Sequence, residues 1–247
     1  MTGVLGAFVI AALAVFTRLS LMMFLLPGIG ERAVPVRVRL ITALALMGAI
    51  LPVVLPASAA RADTPILVLI AGEALIGFGL GFSFRVMIHA LTIAGVIIAQ
   101  AINLSQILGA AVTEEATPAV STLLTLVGAA LFVTLDLHVQ AVRLLADSYA
   151  VFPLGGVPAT DGLGEWAMSR TADAFALSVS IALPFVLIGF LYNVVLGLIN
   201  QAMPQMMVTF VGVPANVLAG LFLLSLCLGA MMTAWLGAMD EAPLGFW

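Results

Sequence analysis

Few residues in this chain could carry out acid–base or metal chemistry. The sequence has two histidines, His89 and His138, a single cysteine and no lysine. Glu114 and Glu115 are adjacent, but neighbours on a helix point about 100° apart, so they would not form an acid–base pair. His89 could relay protons, or it could be an ordinary packed histidine. Because no known catalytic or metal-binding motif is found, the sequence predicts a protein that is not an enzyme and has no cofactor.

Arg18, Glu73 and Arg85 are charged residues that stand inside apolar stretches of the sequence. A charge within a membrane segment is costly unless it faces protein, water or the membrane surface. Glu73 and Arg85 are twelve residues apart, which places them about 120° apart on a helix and makes them poor partners for each other. Snorkelling to the membrane surface is the alternative for Arg18. The sequence therefore predicts that these three side chains make polar contacts between subunits.

The overall composition is that of a membrane protein. Hydrophobic residues make up 64% of the 247 residues, charged residues 8%, and the mean hydropathy is +1.27. Soluble proteins carry about 25% charged residues, so this chain is predicted to be an all-α integral membrane protein. The absence of a basic patch argues against nucleic acid as a partner, whereas the net charge of −4 comes from few groups and says little about partners.

About six apolar segments must position these residues within a single domain. The third segment, 65–103, is too long for one straight crossing, and glycines between Gly72 and Gly81 favour a kink or a break there. Pro27 and Gly28 are expected to end the first segment. The loop after them holds the densest cluster of arginines, which the positive-inside rule places in the cytoplasm. The segments are 4–26, 38–56, 65–103, 119–150 and two that share 174–239.

The last two segments are predicted to form a helical hairpin. Residues 174–239 contain no charged residue or histidine, and the polar turn falls at Asn200, Met203, Pro204 and Gln205. Small residues and amides at a spacing of four allow close helix packing, although such spacing is also common in ordinary membrane helices. The predicted packing residues are Gly77, Gly81, Gly189, Asn193, Gly197, Gly212, Asn216 and Gly220.

Two classes of function fit broken apolar helices that carry buried polar residues. One is a conduit whose wall is built from several subunits, and the other is a self-contained secondary transporter of a small solute. A transporter of six segments would normally dimerise or show an internal repeat. Only the local similarity between residues 189–197 and 212–220 is present, which favours the conduit.

The order of several short motifs resembles the family of the flagellar export-gate protein FliR and its counterparts in virulence type III secretion. The motifs extend over nearly the whole chain and end in a Met-Pro-Gln turn followed by Gly-x-Pro. They are Arg18, Pro27, 31–35, 37–39, 77–81, Ala94-Gly95, Leu104-Ser105, His138, 152–155, 182–184, 196–200, 203–205 and 211–214.

This resemblance implies a non-enzymatic core subunit of the flagellar protein export gate. FliP-like and FliQ-like subunits would build a helical assembly with it, FlhB-like and FlhA-like proteins would dock nearby, and unfolded proteins would pass through. Residues 1–173 would be the FliP-like part, 174–239 the FliQ-like hairpin and 240–247 a tail. The implied location is the bacterial inner membrane, among membrane lipid, within the rings of the flagellar basal body.

The resemblance also suggests a role for the loop at 104–118. By its match to the family's loop after Leu-Ser, this stretch would project into the channel and help to close it, as a plug formed by Leu104, Ser105, Gln106, Ile107 and Leu108. An apolar constriction of this kind can exclude ions by dewetting. The alternative is a simple connector that rests on a neighbouring subunit.

Overall fold

Apolar stretches separated by proline, glycine and polar turns fold into helices throughout the described chain. The computed structural model describes residues 2–31, 34–54, 65–102, 119–156, 162–202 and 208–241. These ranges form seven α-helices and no strand, which confirms the predicted all-α class. The helices are α1 (Thr2–Leu25), α2 (Val36–Val54), α3 (Ile66–Ala101), α4 (Ala119–Thr134), α5 (Leu137–Val151), α6 (Leu163–Ala202) and α7 (Val208–Glu241).

Glycine and proline lie at two of the helix ends, of which the end of α1 was predicted from Pro27 and Gly28. Helix α1 ends at Leu25, and Gly28 follows with a φ of 79°, a left-handed conformation that favours glycine. Helix α3 begins directly after Pro65, whose carbonyl accepts the backbone N–H groups of Val68 and Leu69 at 3.0 and 3.1 Å. Proline suits this position because its missing N–H would have no helical partner there.

The third segment, in which a kink or a break was predicted, is not broken. Helix α3 runs unbroken through 36 residues, including the glycines between Gly72 and Gly81. Glycine keeps its backbone N–H, so it costs only about 1 kcal/mol per residue in a helix interior, and packing against a neighbouring helix can offset this cost. At about 1.5 Å per residue the helix is roughly 54 Å long, well beyond a hydrocarbon core of about 30 Å.

The fourth segment, in contrast, is broken where no break was predicted. Helices α4 and α5 meet at an angle of 65°. Asp136, between them, has φ 57° and ψ 22°, which is the left-handed region. Aspartate visits this region more readily than most residues, and a single left-handed residue ends the run of helical hydrogen bonds.

Several of these helices are long and apolar enough to cross a membrane. Five in the described ranges meet this description singly, and the bent pair of α4 and α5 brings the number to six if it forms one span. This agrees with the predicted number of apolar segments. The chain is therefore a multi-pass membrane protein.

Backbone contacts divide the chain into two compact units, neither of which is continuous in sequence. The first contains α1, α2, α3 up to Val86, the end of α4 from Ala129, α5 and the start of α6 up to Arg170. The second contains the remainder of α3 from Met87, most of α4, and α6 and α7 from Thr171. Helix α6 is one continuous helix from Leu163 to Ala202.

Candidate functional site

A fully buried ion pair lies in the first unit. The guanidinium Nε of Arg18, on α1, donates to Oε2 of Glu73, on α3, at 2.6 Å. Both side chains have no exposed surface. Two charges removed from water are stable only when the geometry is good and the remaining donors and acceptors are satisfied.

The other groups of Arg18 are satisfied by the end of α5. Nη1 donates to Oγ of Ser148 at 2.9 Å, and Nη2 donates to the backbone carbonyl of Phe152 at 3.1 Å. The guanidinium carbon lies 3.8 Å from the centre of the Tyr149 ring, a cation–π geometry. One arginine therefore connects α1, α3 and α5, and the surrounding polar groups stabilise its charge.

Glu73 uses its second oxygen to hold the turn after α5. The backbone N–H of Gly155 donates to Oε1 of Glu73 at 3.1 Å. Gly155 has a φ of 77°, which favours glycine, and the N–H of Gly156 closes the turn on the carbonyl of Pro153 at 2.7 Å. We define the buried cluster as Arg18, Glu73, Ser148, Tyr149 and Gly155.

The buried cluster supplies partners for charges that were predicted to contact another subunit. Arg18 and Glu73 pair with each other inside one chain, so this pair does not require a partner elsewhere, and contacts between subunits stay a prediction. Arg85 also has an internal partner, because its Nη1 lies 2.7 Å from Oε1 of Glu31. These pairs join residues 55 and 54 positions apart, a separation at which helical spacing carries no information about contact.

Close approach of α1 and α3 is what brings the ion pair together. A Cβ atom on Gly77 would lie 2.1 Å from the carbonyl oxygen of Arg18, and one on Gly81 would lie 2.9 Å from that of Met22. Gly77 is one turn after Glu73 on the same helix face. The absence of side chains at both glycines allows the two helix backbones to lie in contact.

In the second unit, the hairpin packs against the end of α3. A Cβ atom on Gly189 would lie 2.5 Å from the carbonyl oxygen of Ala101, and one on Gly220 would lie 2.3 Å from the Ile102 side chain. Asn216 is buried, and its Nδ2 is 3.5 Å from the same carbonyl of Ala101, at the outer limit of a hydrogen bond. Both arms of the hairpin thus contact one helix end.

Of the remaining predicted packing residues, one packs within the hairpin and two are exposed. A Cβ atom on Gly212 would lie 2.3 Å from the Tyr192 hydroxyl, so Gly212 faces α6. Asn193 and Gly197 are exposed, and a Cβ on Gly197 would meet nothing within 4 Å. A spacing of four advances about 40° around a helix, so Gly197 lies about 80° away from the face of Gly189.

Trp235 is a packing residue that the sequence analysis missed. It is fully buried in the second unit, and its indole N–H donates to the backbone carbonyl of Met87 at 2.9 Å. A buried tryptophan usually needs such an acceptor. Its place in an uncharged apolar helix gave no sign of this contact with α3.

Some predicted residues lie outside the described part of the chain. These are the proposed plug loop, Leu104, Ser105, Gln106, Ile107 and Leu108, and the turn residues Met203, Pro204 and Gln205. Asn200 is described, and it is an exposed residue of the last turn of α6. Within the described ranges, no three His, Cys, Asp or Glu side chains come together in a way that could hold a metal ion.

A family profile and the similar known proteins point to the same family. The sequence profile of "Bacterial export proteins, family 1" matches residues 9–242. The chain is 30% identical to the flagellar biosynthetic protein FliR of Caulobacter vibrioides over 234 residues, covering 92% of both chains. It is 31% identical to FliR of Aquifex aeolicus, covering 90% of this chain and 86% of that one. It is 29% identical to FliR of Escherichia coli, with coverage of 81% and 77%. The chain therefore belongs to family 1 of the bacterial export proteins, the family of FliR.

Proposed function

We propose that this chain is a non-enzymatic core subunit of the flagellar type III protein export gate. It would form, with FliP-like and FliQ-like subunits, the channel for unfolded flagellar proteins. FlhB-like and FlhA-like proteins would bind nearby, and the assembly would lie in the inner membrane within the basal body. The observation that carries this proposal is the match to FliR over nearly the full length of both chains.

The exposed surface of α6 supports a role in a multi-subunit wall. Its second half exposes large apolar side chains around much of the helix, including Leu187, Phe190 and Leu198. Lipid could cover these side chains. Asn193, however, is an exposed amide within this apolar stretch, and it makes no hydrogen bond with the described residues. An amide in hydrocarbon gains stability from hydrogen bonds to another helix, which favours a protein neighbour on this face.

Purification of the tagged chain from its own membranes in mild detergent tests the proposal. We expect FliP-like and FliQ-like subunits to co-purify, and deletion of the chain to stop secretion of flagellar subunits. A vector-only strain is the control for non-specific capture. Recovery of an isolated monomer or dimer that binds a small solute, with normal flagellar secretion in the deletion strain, would contradict the proposal and favour a secondary transporter.

Substitution by leucine should have different effects at two glycines of the hairpin. Gly220→Leu forces a side chain into Ile102 and should destabilise the chain itself, whereas Gly197→Leu should leave the fold intact. If α6 packs on a partner subunit, Gly197→Leu should weaken assembly by about 1–2 kcal/mol, or about 5- to 30-fold. Native gels measure assembly and immunoblots of membranes measure chain abundance. Equal assembly of Gly197→Leu and the unaltered chain would show that lipid covers this face.

A further inference from the structure

A groove between α1 and α2, in the first unit, is lined almost entirely by apolar side chains. Its volume is about 270 Å³. Met23 and Ala43 are buried at its base, while Phe24, Val36 and Leu40 are largely exposed around it. The lining is completed by Phe16, Ser20 and Arg39.

Arg39 gives this apolar groove a positive charge. Its Nη2 donates to the backbone carbonyls of Glu31 and Val34, the second at 2.9 Å. Its Nε, like the Oγ of Ser20, is buried without a hydrogen-bond partner in the described residues. Among the described residues, no carboxylate forms an ion pair with Arg39.

A partly buried cation in a membrane protein is stabilised by a nearby anion. Arg39 is three residues from the start of α2, where the positive end of the helix dipole adds to its attraction for an anion. The neighbouring surface is apolar and suits hydrocarbon. A ligand with an anionic head group joined to an acyl chain would satisfy both the charge of Arg39 and the apolar lining. An anion alone would leave the apolar part of the groove empty.

We propose that this groove binds an anionic phospholipid, with part of one acyl chain against Phe16, Met23 and Ala43 and the phosphate beside Arg39. The volume supports a single chain, because sites that enclose a whole small molecule are about 300–1,000 Å³. A further transmembrane helix is about 10–12 Å across with its side chains and would not enter a groove of this size.

Native mass spectrometry of the full chain, purified from membranes in mild detergent together with its accompanying subunits, tests the site. The protein is titrated with dioleoyl phosphatidylglycerol or dioleoyl phosphatidylcholine, which share acyl chains and differ in head-group charge. We expect phosphatidylglycerol to bind about tenfold more tightly, and Arg39→Gln to remove most of this difference. Equal affinity for the two lipids in the unaltered protein would overturn the proposal.

Arg37→Gln is the matched control, because it removes the same charge from an exposed arginine two residues away. It should change affinity by less than about twofold, as expected for a solvated charge. Equal losses in Arg37→Gln and Arg39→Gln would show general attraction to the arginine cluster and would overturn the specific site.

A second variant tests the groove independently of Arg39, whose substitution also removes two bonds to backbone carbonyls. Ala43→Leu fills the base of the groove and should weaken phosphatidylglycerol binding about tenfold. Unchanged binding in this variant would overturn the position of the acyl chain.

Photo-crosslinking identifies the occupant of the groove directly. A benzophenone side chain placed at Leu40 should attach to lipid on illumination. Attachment to another polypeptide instead would identify a protein as the occupant and would overturn the proposal.

Discussion

Replacing Arg18 with methionine is expected to destabilise the folded chain by about 3–5 kcal/mol. The change leaves the Glu73 carboxylate buried, with only the N–H of Gly155 as a hydrogen-bond donor among the contacts described above. It also leaves the carbonyl of Phe152 without the guanidinium group. A buried charge without its partner is costly because the surrounding protein cannot replace the water it has lost.

Unfolding of the full chain in mixed micelles measures this effect. The chain is titrated with sodium dodecyl sulfate while the fluorescence of its three tryptophans is followed. Arg143→Met is the matched control, because Arg143 is an exposed arginine on α5 and its loss should change stability by less than about 0.5 kcal/mol. Similar stabilities for Arg18→Met and Arg143→Met would mean that the buried cluster does not hold the first unit together.

The double variant Arg18→Met with Glu73→Met separates the ion pair from the packing. Each single variant leaves one charge uncompensated, whereas the double variant leaves neither. The two costs should therefore be non-additive by about 0.5–3 kcal/mol, with the double variant more stable than their sum predicts. Strict additivity would indicate that Arg18 and Glu73 stabilise the fold separately, through their other contacts with the end of α5.

Local sequence features predicted the elements better than the contacts between them. Pro27 and Gly28 identified the end of α1, because each acts on its own few residues of backbone. The unbroken α3 and the bend at Asp136 were not predicted. A run of glycines permits a break without requiring one, and aspartate can adopt the left-handed conformation without doing so at every position.

The site shows the same division between local and distant information. The sequence singled out Arg18 and Glu73 because charges are rare in apolar segments, yet it could not pair residues 55 positions apart. The small residues were found by spacing alone. Spacing places Gly189 and Gly197 about 80° apart on α6, but it could not show which of the two faces α3; Gly189 contacts Ala101, whereas Gly197 meets no neighbour.

Gly77→Ala should destabilise the chain by about 1–3 kcal/mol or more, even though alanine is the better helix former. The new methyl group would lie 2.1 Å from the carbonyl oxygen of Arg18 and 2.9 Å from its Cα. These are backbone atoms, so relief requires α1 to move away from α3 as a whole. That movement lengthens the contact between Arg18 and Glu73, one turn away on the same face of α3.

Gly48→Ala is the control for the effect of alanine on an α-helix. Gly48 lies in α2, and a Cβ atom there would meet nothing within 4 Å, so this variant should be neutral or more stable by up to about 1 kcal/mol. The same detergent titration compares the two variants. A Gly77→Ala chain as stable as Gly48→Ala would mean that the close contact between α1 and α3 is not required.

Combining Gly77→Ala with Arg18→Met tests whether helix contact and ion pair act together. If the glycine serves to bring Arg18 to Glu73, part of its cost comes from weakening that pair. Gly77→Ala should then cost less in the Arg18→Met chain than in the unaltered chain, by about 0.5–3 kcal/mol. An equal cost in both chains would assign Gly77 to backbone packing alone, since the strained contact involves the main chain at residue 18, which both chains share.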